Sequence, residues 1–328
     1  ADSVAPNAST SAAAELGGAA AAGGRWVEHR LVHNLYGALQ AESTYGGLSR
    51  RRGGTIRPFL LSRAFFVGSQ RWGAVWTGDN TASWSHLQLS VAMTMALSVS
   101  GLPFGGADVG GFFGEPDHEL LVRWYQAAAY LPFFRGHGHI ETQRREPWLL
   151  PEETAALVVA TLRERQRLLP YWNTLWWAAS AEPSEAGLPI VRPLWLTYGA
   201  GADGGDGDAS TNATEAAAAE ELQELLSMEF SWTLGADLLV RPIVTEERER
   251  VQGAEGGTPT YLPGPAASAV WFSVATGARL AGGGWHDVAT PLNTTAVFQR
   301  GGSIIPRRRR VRRSALMAVW DPISLDVA

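Results

Sequence analysis

Hydrophobic and polar positions divide the chain into three parts. Residues 1–24 are mostly Ala, Ser and Gly, with hardly a large apolar side chain. Because such a segment cannot bury enough apolar surface to offset the entropy lost on ordering, we expect it to be disordered. Between 25 and 188 short apolar runs alternate with segments of helical period, whereas 189–328 contains strand-like runs separated by Gly and Pro. The pattern predicts an α/β domain followed by an all-β domain.

Apolar side chains at helical spacing predict helices at 28–42, 84–99, 119–130 and 154–181. The Gly46–Gly47 pair is expected to end the first helix, and the Pro116–Asp117 turn is expected to begin the third. Pro170 lies inside the fourth helix, where a residue without a backbone N–H donor predicts a kink.

Short apolar runs at 58–61, 72–76, 104–113 and 132–134 predict strands between these helices. Each run is followed by polar residues, as expected for buried parallel strands whose functional loops lie at their carboxyl ends. Four strand-and-helix units make half of an eight-stranded barrel. The predicted fold class is therefore α/β, with the C-terminal half of a (β/α)8 TIM barrel, about strands 5 to 8, over 25–188.

The remainder of the chain predicts a proximal C-terminal β-sandwich over 189–328. Its strand-like runs lie at 190–197, 237–244, 259–262, 269–274, 294–299 and 303–306. An acidic sequence rich in Gly and Ala interrupts them at 199–219, and we interpret it as a disordered, exposed insertion. No apolar run reaches the length of a membrane span, so we expect no membrane partner.

Asp79 is the most informative single residue, because it directly follows the predicted strand at 72–76. Trp72 and Trp76 precede it, and apolar surroundings of that kind raise the pKa of a carboxyl group toward acid catalysis. A structural alternative is that Asp79 caps the helix at 84–99. A retaining glycosidase would also need a second carboxylate about 5 Å away, and no residue of the chain is marked as one by its context.

The composition narrows the class of ligand. The chain has 328 residues, 45% of them hydrophobic, a net charge of −5 and no cysteine, which excludes disulfides and thiol chemistry. Fourteen tryptophans favour a carbohydrate ligand, since aromatic faces pack against the C–H surfaces of sugars. The acidic balance argues against a nucleic-acid partner, and the alternative of an RNA-binding module depends only on the arginines at 307–313.

Other candidate residues have more than one interpretation. His137 and His139 lack the third ligand that a metal site needs, so no metal is expected, and each is either a sugar-binding or a structural histidine. Arg63 and Arg135 could bind a substrate hydroxyl or pair with a carboxylate, Asp108 among them. The glycine pairs near 105–111 do not have the spacing of a dinucleotide-binding loop, so we expect no cofactor.

Five stretches together resemble one known family: HNLYG (33–37), RPFLLSRAFFVGSQRWGAVWTGDN (57–80), GGADVGGFFG (105–114), ELLVRWYQAAAYLPFFRGHGHIETQRREPWLL (119–150) and VFQRGGSIIPRRRRVRRS (297–314). On these motifs the chain resembles glycoside hydrolase family 31 over about residues 25–316. The resemblance implies a retaining α-glucosidase that removes terminal α-linked glucose from glycans. It also implies an N-glycan substrate, a regulatory β subunit as partner, and the endoplasmic reticulum lumen as location.

The resemblance assigns a role to each matching residue. Asp79 in WTGDN matches the acid/base, Arg63 in LSR the glucose-binding arginine, and His137 in FFRGHGH the histidine that holds glucose hydroxyls. Trp76 and Phe112 match pocket residues that stack on the sugar. Asp108 matches an aspartate that gives the pocket polar support.

One expected motif does not occur. The family's nucleophile lies in a W-x-D-M-N-E motif before the stretch that GGRWVEHR (23–30) resembles, and the sequence contains no such motif. We therefore expect a truncated chain that is inactive by itself, because without a nucleophile the covalent intermediate cannot form. The alternative is a non-catalytic fragment that binds a glycan or another subunit.

Overall fold

The computed structural model describes residues 28–199, 212–253, 256–265 and 268–328. The disorder predicted for 1–24, and most of the insertion predicted at 199–219, concern residues outside these ranges. The chain divides into two units, one ending at Gly78 and the other beginning at Asp79. No helix within the four ranges has the length and apolar character needed to cross a membrane.

The first unit contains one long helix and a pair of parallel strands. Its elements are α1 (His29–Arg50), β1 (Leu61–Ser62) and β2 (Ala74–Trp76). Leu61 pairs with Ala74 in parallel register, as the predicted strands at 58–61 and 72–76 require. The expected end of α1 at Gly46–Gly47 is wrong. Glycine in a helix costs only about 1 kcal/mol, and the Tyr45 ring packs 5.4 Å from that of Trp72.

The second unit begins with alternating strands and helices. They are α2 (Trp84–Val99), β3 (Gly105–Gly106), β4 (Asp108–Val109), α3 (His118–Ala128), β5 (Arg135–Gly136), α4 (Glu152–Arg167) and α5 (Leu169–Ala181). β4 and β5 pair in parallel, with Asp108 opposite Arg135. Asp117 caps α3 by accepting from the backbone N–H of Leu120 at 2.7 Å, as the Pro-Asp turn predicted.

The long helix predicted at 154–181 is two helices that meet at Leu168. Leu168 is fully buried at this junction. Pro170 lies in the first turn of α5, where its missing N–H breaks no hydrogen bond. The kink predicted from Pro170 is therefore a complete helix break two residues earlier.

The rest of the second unit is mainly antiparallel strands. The elements are β6 (Val191–Pro193), α6 (Leu194–Tyr198), α7 (Asn212–Ser227), β7 (Trp232–Leu234), β8 (Leu238–Arg241), β9 (Thr258–Leu262), β10 (Val270–Ser273), β11 (Arg279–Ala281), β12 (Gly284–Val288), β13 (Ala296–Arg300), β14 (Ile304–Arg307) and β15 (Ser324–Val327). β11, β10, β13, β8, β7 and β6 form a six-stranded sheet, and β12–β9 and β14–β15 form separate pairs.

Two predictions in this region need correction. The run at 190–197 is a strand only to Pro193, after which α6 begins and buries Leu194. Helix α7 occupies the end of the predicted insertion, since Ala and Glu are strong helix formers. Strands β7, β11, β12 and β15 were not predicted, because none of them contains an extended apolar run.

The α/β part and the β domain of the second unit share one hydrophobic core. Leu87 of α2, Trp124 of α3 and Trp232 of β7 are all buried in it. The Trp232 indole N–H donates to the carbonyl of Tyr130 at 3.2 Å. Helices α2 and α3 of the α/β part are therefore packed against the β domain.

Candidate active site

Arg63 directly follows β1 and Trp76 is the last residue of β2, and the two side chains lie together in the first unit. The Arg63 guanidinium carbon is 5.4 Å from the centroid of the Trp76 ring, a cation–π geometry. Gly78 has a φ of +91°, and a Cβ there would come within 2.9 Å of the Arg63 Nη2 atom. Only glycine combines that backbone conformation with room for the guanidinium.

Asn80 forms hydrogen bonds between the loop that carries Asp79 and the loop that follows β4. Its backbone carbonyl accepts from the N–H groups of Phe112 and Phe113 at 2.7 and 2.9 Å. Its side-chain Nδ2 donates to the carbonyl of Asp108 at 3.0 Å. The position of Asp79 is therefore set by the hydrogen bonds of its neighbour, a role that the sequence motif did not assign to Asn80.

The structure tests two expectations for Asp79. The structural alternative is wrong, because Ser83 caps α2 and accepts from the His86 N–H at 3.3 Å. The apolar surroundings expected for its carboxyl group are also not seen within the second unit, where the residue is exposed. Burial is the main cause that raises the pKa of Asp108, and the Asp79 charge adds to the rise, so the two carboxyl groups are electrostatic neighbours.

Asp108 is buried in an ion pair. Its side chain is fully inaccessible, and its Oδ1 atom accepts from Arg135 Nε and Nη2 at 3.0 and 2.5 Å. Burial raises the pKa of the Asp108 carboxyl, while the hydrogen bond and charge of Arg135 oppose that rise. Of the two interpretations of Arg135, the structure shows the pairing with a carboxylate.

The shifted pKa of Asp108 predicts a specific pH dependence. The native carboxyl keeps its proton above the ordinary pKa of 3.8, so its contribution to stability is complete below that pH and is lost as pH rises through the raised value. In D108N this contribution does not titrate. The free energy of unfolding of the wild type minus that of D108N, measured by urea unfolding, should therefore fall as the pH rises above 3.8 and through the raised pKa of Asp108.

The matched control is E141Q, because Glu141 is exposed. The free energy of unfolding of the wild type minus that of E141Q should vary less with pH than the same difference for D108N. A difference for D108N that grows with pH would mean that the Arg135 ion pair outweighs the cost of burial, and would contradict the direction of the pKa shift.

Phe112 and His137 form a stacked pair of rings at the ends of β4 and β5. Their centroids are 5.3 Å apart and their planes 29° apart. His139 contacts the Phe112 ring edge-on at 5.5 Å, and its backbone N–H donates to the Phe112 carbonyl at 2.9 Å. His137 is exposed while His139 is partly covered. The geometry leaves the His137 imidazole accessible to a ligand and makes His139 part of its support.

The second unit thus brings Asp79, Asp108, Phe112 and His137 onto adjoining loops. Such a set combines a carboxyl group, an aromatic face and an imidazole, the groups that bind sugars and assist hydrolysis of glycosidic bonds. Glu141 and Glu146, the other carboxylates near these strand ends, interact with His139 at 3.8 Å and with Arg144 at 2.8 Å.

Comparison with family models gives two matches that are consistent with this architecture. Residues 3–175 match the TIM-barrel domain of glycosyl hydrolases family 31, and residues 187–305 match the C-terminal domain of the same family. The fold is therefore part of a TIM barrel followed by a β domain, as the alternating strand and helix pattern predicted.

Individual proteins are similar over nearly the whole chain. Human neutral alpha-glucosidase AB is 45% identical over 305 residues, which cover 93% of this chain and 29% of that protein. A Tris-bound glucosidase II alpha subunit superposes with a TM-score of 0.77 at 37% identity, covering 92% of this chain and 29% of that one. A glucosidase II heterodimer of catalytic subunit and regulatory-subunit binding domain gives 0.76 at 37% identity, with the same coverage. The chain thus spans under a third of the length of these relatives.

Proposed function

The chain belongs to glycosyl hydrolase family 31, and on that premise we propose that it forms the acid/base and sugar-binding part of an α-glucosidase site. The observation that supports this most is the set of adjoining loops that carries Asp79 next to Asp108 and the Phe112–His137 ring pair. The substrate class is a terminal α-linked glucose.

Each side chain has one role in this proposal. Asp79 donates a proton to the glycosidic oxygen as the bond to the anomeric carbon breaks. Phe112 offers an aromatic face to the sugar, and His137 hydrogen-bonds its hydroxyls. Asp108 supports the pocket through Arg135. For Arg63 and Trp76 of the first unit, the glucose-binding and stacking roles that the family resemblance implies remain separate predictions.

The finer assignment is a glucosidase II type of activity, acting on N-glycans in the endoplasmic reticulum lumen together with a regulatory subunit. Its support is the similarity to human neutral alpha-glucosidase AB and to the catalytic subunit of the glucosidase II heterodimer. No metal or cofactor enters the proposed chemistry.

A second candidate function is glycan or subunit binding without catalysis. It is favoured by the sequence, because none of the 328 residues forms the W-x-D-M-N-E nucleophile motif. With an acid but no nucleophile, the chain would bind a terminal α-linked glucose and leave its glycosidic bond intact. The RNA-binding alternative is weakened, because Arg307 pairs with Glu164 and Asp326, and Arg312 with Asp321.

Glucose binding by the purified chain tests both candidates. His137→Ala should weaken the binding of glucose about tenfold or more, the loss expected for a hydrogen bond of roughly 1.4 kcal/mol. Isothermal titration of glucose and of a glucose disaccharide would measure it. His118→Ala is the control, because His118 is exposed at the start of α3. Equal affinities for the two variants would contradict the role of His137.

A further inference from the structure

The guanidinium of Arg145 joins the two loops that carry Phe112 and His137. Its Nη2 atom donates to the carbonyl of Gly111. The same atom donates to the carbonyl of His137 at 2.8 Å. One side chain thus holds the backbone immediately before Phe112 and the backbone of His137 itself.

Glycines surround this guanidinium and give it room. A Cβ at Gly138 would come within 3.4 Å of Arg145 Nη2 and within 2.7 Å of Thr142 Oγ1, and one at Gly110 would come within 3.5 Å of Arg145 Cζ. Gly111 has a φ of +85°, and a Cβ there would come within 2.4 Å of the Ala82 backbone nitrogen. A side chain at Gly138 would therefore collide with Thr142 and one at Gly111 with the Ala82 backbone, so both glycines keep the loops beside Arg145 in their present path.

The placement of the charge has a free-energy cost. Burial lowers the pKa of Arg145, and the nearby groups of Glu115, Tyr125 and Asp108 act in the opposite direction. The adjacent Arg144 is exposed and pairs with Glu146 at 2.8 Å. A partly buried guanidinium that donates to two carbonyls forms charge-assisted hydrogen bonds, which are about twice as strong as neutral ones.

We propose that Arg145 is a positioning residue that keeps the His137 imidazole stacked on Phe112 and so keeps both rings in place for the sugar. The proposal rests on the sugar-binding function inferred above. Arg145 itself does not touch the sugar. It acts through the two carbonyls, because the planar guanidinium directs the two hydrogens of Nη2 in fixed directions, whereas the donors of a lysine ammonium rotate.

Histidine NMR of the full chain tests the positioning directly. The imidazole carbons are labelled with 13C, and the His137 signal is the one that is absent from the spectrum of H137A. That signal should show a ring-current shift caused by the Phe112 ring. Arg145→Met should reduce that shift by about half or more and weaken glucose binding about tenfold, the effect of losing charge-assisted bonds of roughly 1.5 kcal/mol. Arg145→Lys should give intermediate values for both.

Arg144→Met is the matched control and should change neither quantity. An unchanged His137 shift in Arg145→Met overturns the proposal, and if that variant does not fold, an unchanged shift in Arg145→Lys does so. If the wild-type chain binds no glucose, the sugar-binding function fails. The NMR shift then still decides whether Arg145 holds the ring pair, because the shift requires no ligand.

Discussion

The purified chain of 328 residues is expected to release no measurable nitrophenol from an aryl α-glucoside. Retaining hydrolysis requires a carboxylate that attacks the anomeric carbon while the acid protonates the leaving oxygen. The proposed acid, Asp79, is present, but no W-x-D-M-N-E motif occurs in the sequence. Loss of the nucleophile lowers turnover by on the order of 10⁶-fold in a serine protease, and a loss of that size would place the rate below detection.

Human neutral alpha-glucosidase AB, assayed in parallel, provides the positive control. Turnover by the chain that Asp79→Asn abolishes and Asp117→Asn preserves would contradict the prediction. It would mean that another carboxylate of this chain acts as the nucleophile. Asp108 is poorly suited to that role, because it is fully buried and its Oδ1 atom is bound to Arg135.

The largest effect on stability is expected at Arg123 of α3, which is only 2% exposed. Its Nη2 atom donates to the carbonyl of Thr290 at 2.9 Å, and its Nη1 atom donates to the carbonyls of Pro291 and Thr294 at 3.3 and 3.1 Å. Burial lowers its pKa to about 10, so it remains charged at neutral pH. The side chain thus ties α3 to the loop before β13.

Arg123→Met should lower the free energy of unfolding by about 3 kcal/mol, measured by urea unfolding. Replacing a buried charge by a hydrophobic residue is often harmless when the partner charge is replaced as well. Here one partner is the side-chain oxygen of Gln126, at 3.0 Å from Nη1. The others are backbone carbonyls, which no substitution removes, and those of Pro291 and Thr294 would lose this donor. Arg250 still donates to Thr290 at 3.3 Å, which limits the loss.

Arg163→Met serves as the control, because Arg163 lies exposed on α4. We expect it to change stability by no more than about 0.5 kcal/mol. Equal stabilities for the two variants would show that the bonds of Arg123 are replaced by water without cost.

The periodicity of the chain was sufficient to locate most elements near the candidate site. Helix α2 begins and ends at the residues that the pattern predicted, Trp84 and Val99. Strand β4 lies inside the predicted run at 104–113. The strand predicted at 132–134 is wrong, because β5 begins only at Arg135. These predictions depend on local spacing and on side-chain type, and neither requires knowledge of distant residues.

The errors lie where distant contacts outweigh local preference. Gly46 and Gly47 lie inside helix α1, although glycine favours the end of a helix. The neighbouring residue Tyr45 packs against Trp72. Helix α6 replaces the second half of a predicted strand, and Leu194 fills the core of the β domain. Burial of a large side chain contributes more free energy than one residue's conformational preference costs.

The sequence by itself determined the alternation of strands and helices in the α/β part, the family, and the strand ends at which Asp79, Asp108 and His137 lie. Parallel strands end in functional loops, so their polar endings are visible in the chain. Only the tertiary structure decided how those loops are held. Asn80 bonds Asp108 across 28 positions, and Arg123 bonds Thr294 across 171. Such pairings follow from how the whole chain packs, because no local spacing identifies which distant carbonyl a buried donor will meet.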